Sequence, residues 1–161
     1  SYTPNATYMT GREGIHMLID IVAKGGNLLL NIAPGPDGEW QQGAYDLLKA
    51  YGDWMKVNES GIYNTRPIAP FKEDNICMTQ NKEGNVFLFY MAKEDENKVP
   101  SEVQITSIDP KAGTKITMLG SDKALTWKKM NKGFKIMIPE KLRNNLPCKE
   151  AWTFKIEETN H

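Results

Sequence analysis

The sequence predicts an α/β fragment followed by an all-β antiparallel sandwich, and three observations carry that reading. A stripe of apolar residues with helical spacing leads into a short, nearly unbroken apolar run, Leu28-Leu29-Leu30-Asn31-Ile32-Ala33. A second helical pattern follows a loop rich in proline and glycine. Beyond Arg66-Pro67 the period changes from that of a helix to strict alternation, and it stays there to the end of the chain.

The first helix opens at Thr10. Glu13 lies three positions on, the spacing at which each side chain satisfies a backbone donor of the other. Ile15, Leu18, Ile19 and Val22 then recur at i, i+3, i+4 and i+7. Gly25 and Gly26 end the helix, because glycine adopts the left-handed closing conformation at least cost. The run from Asn27 to Ala33 suits a strand buried on both faces, as in a parallel sheet covered by helices. Pro34-Gly35-Pro36-Asp37-Gly38 is a loop of turn-forming residues. The second helix is expected from about Gln42 to Val57, with Leu47, Leu48, Tyr51, Trp54 and Met55 inward and Asn58 to Gly61 closing it.

A helix-strand-helix unit cannot close a core alone. One parallel strand demands others, joined by long crossovers. Residues 1 to about 66 therefore read as the tail of a larger α/β domain. The absence of an initiating Met or a signal-peptide pattern at Ser1 fits a piece of something longer. Pro67 and Pro70 mark the boundary, since neither continues a helix or a central strand. In the second half Val86 to Met91 is strongly β-forming. Val103 and Ile105, Ile116 and Met118, Phe134, Ile136 and Ile138, and Trp152, Phe154 and Ile156 each alternate with other side chains. Turn residues at Asn81–Gly84, Pro110–Gly113 and Asn131–Gly133 punctuate the pattern of an antiparallel sandwich.

The 161 residues carry 20 basic and 20 acidic side chains, a formal net charge of zero. Nucleic acid or an anionic membrane surface is excluded as a partner held by bulk electrostatics, because that needs clustered Lys and Arg. No apolar run approaches the roughly 20 residues that span a bilayer. Cys77 and Cys148 sit in no metal-ligand spacing; they could pair, or lie buried and free. With only His16 and His161 no zinc site is expected.

Few residues offer chemistry. Asp37 and Glu39 lie two apart in the loop, and Asp20, Asp46 and Asp53 fall on helices, where solvated surface charge is the simpler reading. His16 borders the apolar stripe of the first helix and reads as a half-buried structural histidine. The prolines of the loop remove donors that a phosphate cradle would require. Among Trp40, Trp54, Trp127 and Trp152, Trp54 and Trp152 point inward and Trp127 is ambiguous. Trp40 ends the loop after the apolar run, placed either to line a ligand site or to pack on the following helix.

Several of these segments together resemble a known family. Gly25-Gly26-Asn27-Leu28-Leu29-Leu30-Asn31-Ile32-Ala33-Pro34, Asp37-Gly38, Gly52-Asp53-Trp54-Met55-Lys56-Val57-Asn58, Gly61-Ile62-Tyr63 and Thr65-Arg66-Pro67 look like the closing stretch of the catalytic barrel in α-L-fucosidases of glycoside hydrolase family 29. Thr114 to Gly120, Trp127, Lys132-Gly133-Phe134 and Ala151-Trp152-Thr153 resemble that family's C-terminal sandwich. Ala33 stands where many members have glycine.

The resemblance implies a division. Residues 1–66 become the end of a TIM-type (β/α)8-like barrel, its last strand and flanking helices, and residues 67–161 the C-terminal antiparallel β-sandwich. It further implies a parent enzyme that is a retaining glycoside hydrolase, cleaving α-L-fucosyl linkages of fucosylated glycans and exported or lysosomal. The Asp nucleophile and the acid/base of such an enzyme lie on earlier barrel strands, and no residue here matches either. The chain alone is therefore expected to be inactive, its partner being the absent N-terminal catalytic portion. No cofactor and no metal are expected. Tyr2, Asn31, Asp37, Glu39 and Trp40 would border the sugar pocket, because barrel enzymes place their sites at the carboxyl ends of the strands. The alternative is a non-catalytic carbohydrate-binding sandwich module with two extra helices.

Overall fold

The computed structural model describes residues 2–158, so Ser1 and His161 lie outside the described residues. Two long helices come first, α1 (Gly11–Ala23) and α2 (Gln42–Ile62). Eight strands follow: β1 (Thr65–Glu73), β2 (Ile76–Asn81), β3 (Val86–Met91), β4 (Glu102–Ile105), β5 (Ile116–Met118), β6 (Thr126–Lys129), β7 (Phe134–Met137) and β8 (Ala151–Ile156). A single-turn helix, α3 (Glu140–Arg143), precedes β8. The strands form a five-stranded sheet in the order β1-β2-β3-β8-β5 and a three-stranded sheet in the order β4-β7-β6, antiparallel throughout.

Three layers result, and β3 shows why. All six of its residues are buried. Alternate side chains leave a strand on opposite faces. Val86, Leu88 and Tyr90 enter the core between the sheets, with Ile105, Phe134, Ile136, Trp152 and Phe154. Phe87, Phe89 and Met91 enter a second core shared with Ile15, Ile19, Trp54 and Ile62 of the helices. The strand covered on both faces is thus β3, in the middle of the larger sheet. β8 divides in the same way: Trp152, Phe154 and Ile156 face the smaller sheet, and Ala151 faces the helices.

The helices begin and end for local reasons. Thr10 caps α1: its hydroxyl accepts the Glu13 N–H at 3.2 Å, while the Glu13 carboxylate accepts the Thr10 N–H at 2.7 Å. Gly25, at φ 85°, turns the chain out of the helix. α2 runs past the expected stop to Ile62. Asn58 is fully buried, and its side-chain amide donates to the Trp54 carbonyl one turn back, so it continues the helix. Gly61 is there for close packing, since a Cβ on it would stand 2.7 Å from Phe89 Cζ.

Two segments look different within this chain from what their sequence pattern suggests. Residues 27–33 form no strand; from Gly26 to Gly35 the chain has neither helix nor ladder, and Leu29 is 91% exposed. A strand exists only where a neighbour's N–H and C=O groups meet its own, and none among the described residues does so. Pro67 and Pro70, read as a boundary, lie inside β1. β1 is the edge of its sheet, and its register with β2 shifts between Pro67 and Lys72, so the missing proline donors interrupt no central ladder. Expected turns at Asn81–Gly84, Pro110–Gly113 and Asn131–Gly133 are present. Among the described residues no helix is long and apolar enough to cross a membrane.

Trp54 joins the layers most directly: it is buried, and its indole N–H donates to the Ala151 carbonyl of β8 at 2.9 Å. Trp54→Ala should lower the unfolding free energy by about 3–5 kcal/mol, the usual cost of emptying a buried tryptophan site. Urea denaturation followed by far-ultraviolet circular dichroism checks this, with a loss below about 1 kcal/mol counting against the packing described.

Candidate functional site

The loop from Pro34 to Gln41 is closed on itself. Gly35 N–H donates to the Glu39 carbonyl at 2.7 Å, and Gly38 N–H to the Gly35 carbonyl at 3.0 Å. The Asp37 carboxylate accepts the Glu39 N–H at 3.1 Å, an Asx turn that fixes the loop tip. Gln41 then donates from its side-chain amide to the Thr3 carbonyl, tying the N-terminal segment alongside. Tyr2 lies beside Gly35, where a Cβ would meet its ring carbon at 3.4 Å.

Of the five residues read from the sequence as pocket rim, Tyr2, Asp37, Glu39 and Trp40 come together here, all exposed. Asn31 lies on the unpaired segment leading into the loop and joins it only along the chain. One further residue was not foreseen. Tyr45, in the first turn of α2, donates its hydroxyl to the Glu39 carboxylate at 3.0 Å. Its ring stands 5.5 Å from that of Trp40, tilted by 54°. Side chains of a helix lean back toward its N-terminus, so a first-turn tyrosine after a loop is placed to cover that loop; that spacing was the available signal. The hydrogen bond to Glu39 holds the Tyr45 phenol proton above the ordinary tyrosine range.

The other acids hold surface partners. Asp20 pairs with Lys24 at 2.5 Å, Asp53 with Lys49 at 2.5 Å, and Asp46 accepts from Gln42. Cys77 and Cys148 are free thiols, and burial pushes each up to about 11, away from thiolate chemistry. Trp127 is half-buried, its indole donating to the Thr114 carbonyl. Among the described residues no group of three or more His, Cys, Asp and Glu side chains could hold a metal ion.

His16 is structural. Its Nε2–H donates to the Glu150 carbonyl at 2.7 Å, linking α1 to the residue before β8. Between α1 and α2 a groove of about 720 Å³ opens beside the unpaired segment, walled by Leu18, Val22, Leu28, Leu30, Tyr51 and Met55.

Comparison with known proteins gives one consistent family. Residues 1–60 match the family model described as α-L-fucosidase, and residues 70–157 match the model of the α-L-fucosidase C-terminal domain. The chain is 29% identical over 160 residues to the plasma α-L-fucosidase of Pongo abelii, an alignment covering 92% of this chain and 32% of that protein. It is 32% identical over 147 residues to the tissue α-L-fucosidase of Homo sapiens, covering 89% of this chain and 31% of that protein. The chain thus spans about a third of the curated relatives it matches. A Thermotoga maritima α-fucosidase, solved with a mechanism-based inhibitor, superposes with a TM-score of 0.83 at 22% identity over 98% of this chain and 37% of that one. At that identity the likeness shows a shared fold.

Burial and the positive charges of Arg12 and Lys72 hold His16 below its ordinary 6.5. The unfolded chain, with its histidine near 6.5, therefore takes up a proton that the folded chain refuses as pH falls. Stability carried by neutral His16 is present above that value and lost below it. Unfolding midpoints should fall between pH 7 and 5, and less steeply in His16→Gln; equal slopes would count against the assignment.

Proposed function

This chain belongs to the α-L-fucosidase family, and from that premise we propose that it is the C-terminal part of a retaining α-L-fucosidase acting on fucosylated glycans. Residues 1–66 supply the end of the catalytic barrel and residues 67–161 the sandwich that props it. The observation carrying this reading is the apolar segment 28–30: Leu29 is 91% exposed between two helices firmly seated on the larger sheet. Three consecutive leucines left without a ladder are the sequence of a parallel strand whose neighbours come from elsewhere. The groove beside it, walled by Leu18, Val22, Tyr51 and Met55, is where those neighbours and their helices would pack.

Retaining hydrolysis uses two carboxyl groups about 5–5.5 Å apart, one attacking the anomeric carbon and one protonating the leaving oxygen. Asp37 and Glu39 are engaged in holding the loop and Tyr45. The chemistry therefore belongs to the upstream barrel, and this chain contributes the loop 34–40 at the carboxyl end of the strand, on the face where barrels keep their sites. Tyr2, Asn31, Asp37, Glu39 and Trp40 are the proposed rim.

An aryl α-L-fucoside assay tests this. The isolated chain should give no turnover above background, and activity should require the upstream barrel. Hydrolysis that follows the purified chain through successive columns would overturn the proposal.

A further inference from the structure

We propose that Trp40, Tyr45 and Glu39 form a saccharide subsite that stacks the pyranose ring to which a fucosyl unit is attached. The inference rests on the reading of loop 34–40 as pocket rim and goes beyond it by naming the sugar and the surface that takes it. Pyranose rings present a face of C–H groups flanked by hydroxyls, so they are recognised by an exposed aromatic plane with a hydrogen-bond acceptor at its edge. Both parts are here. Trp40 is 39% exposed and Tyr45 42% exposed, so both rings are open to a ligand. Their rings meet at 54°, forming a corner with two aromatic walls.

The corner is fixed before any ligand arrives. The Tyr45 hydroxyl donates to Glu39 Oε2 at 3.0 Å, so the carboxylate is anchored against one wall. An ionised carboxylate accepts up to about four hydrogen bonds, and only one is used by Tyr45, which leaves Glu39 able to receive sugar hydroxyls. The backbone beneath it is held by the Gly35–Glu39 and Asp37–Glu39 hydrogen bonds at 2.7 and 3.1 Å. Tyr45 stands on the first turn of a 21-residue helix whose far end is packed on the larger sheet. A rigid platform loses little conformational freedom on binding, which is the condition under which a shallow sugar site retains affinity. The chain places this corner directly after the segment that ends at the proposed fucose pocket, as a subsite for the neighbouring sugar requires.

The test is a ¹⁵N NMR titration of the 161-residue chain with methyl β-D-galactopyranoside. The Trp40 indole N–H and the amides of residues 37–40 should shift saturably, and the indoles of Trp54, Trp127 and Trp152 should not. Trp40→Ala should abolish the saturable shifts at the loop amides, and Trp40→Phe should keep them with affinity reduced by roughly threefold to tenfold. Trp40→Phe keeps a ring against Tyr45 and should leave the unfolding midpoint unchanged. An absence of shifts at Trp40, or loop shifts that survive Trp40→Ala, would overturn the subsite. Neither result bears on whether the isolated chain hydrolyses a fucoside, so failure here is distinguishable from failure of the function proposed above.

Discussion

The structure depends on a sheet sealed from both sides. β3 and β8 lie side by side in the middle of the larger sheet; every residue of β3 is buried, and in β8 Lys155 alone is partly open. Phe87 and Phe89 look one way, into α1 and α2, while Leu88, Tyr90, Trp152 and Phe154 look the other, into the smaller sheet. Burying large side chains on both faces supplies most of the driving force available to a chain of this size. It also ties the helices to the sandwich, with Trp54 bonded to the Ala151 carbonyl and His16 to that of Glu150 as polar links across the same seam. The helix pair is held in place without needing the segment between its members to be paired.

That arrangement explains how an unpartnered stretch and an ordered loop can coexist. The chain leaves α1 at Gly25 and rejoins the framework at Gln42, both ends being fixed by packed helices. Between them the leucine run lies open, whereas the loop that follows closes through its own hydrogen bonds and through Gln41 to Thr3. Order in the loop is therefore local in origin. Tyr2, Asp37, Glu39, Trp40 and Tyr45 owe their positions to turn chemistry and to the first turn of α2.

Much of this was legible in the sequence because it is governed by near neighbours. The Thr10–Glu13 cap, the glycine exit from α1, the glycine turns and the alternating strands follow from spacing alone. What failed to show involves contacts distant in sequence. Asn58 looked like a helix stop because asparagine favours ends, but its burial against the sheet and its bond to Trp54 carry the helix onward. Pro67 and Pro70 looked like a border because proline is barred from central strands, and an edge position removes that bar. The run 28–30 and β3 are both continuously apolar, yet only β3 finds both faces covered within the chain. Tyr45 escaped notice because its contacts with Glu39 and Trp40 appear only when the first turn of α2 is set over the loop.

The decisive observation concerns residues 27–33. If they are a barrel strand whose companions lie upstream, NMR of the isolated chain should show only sequential and near-neighbour nuclear Overhauser contacts along their backbone. Interstrand contacts from these residues to any segment within 2–158 would contradict that view, because the leucine run would then be satisfied by the chain itself.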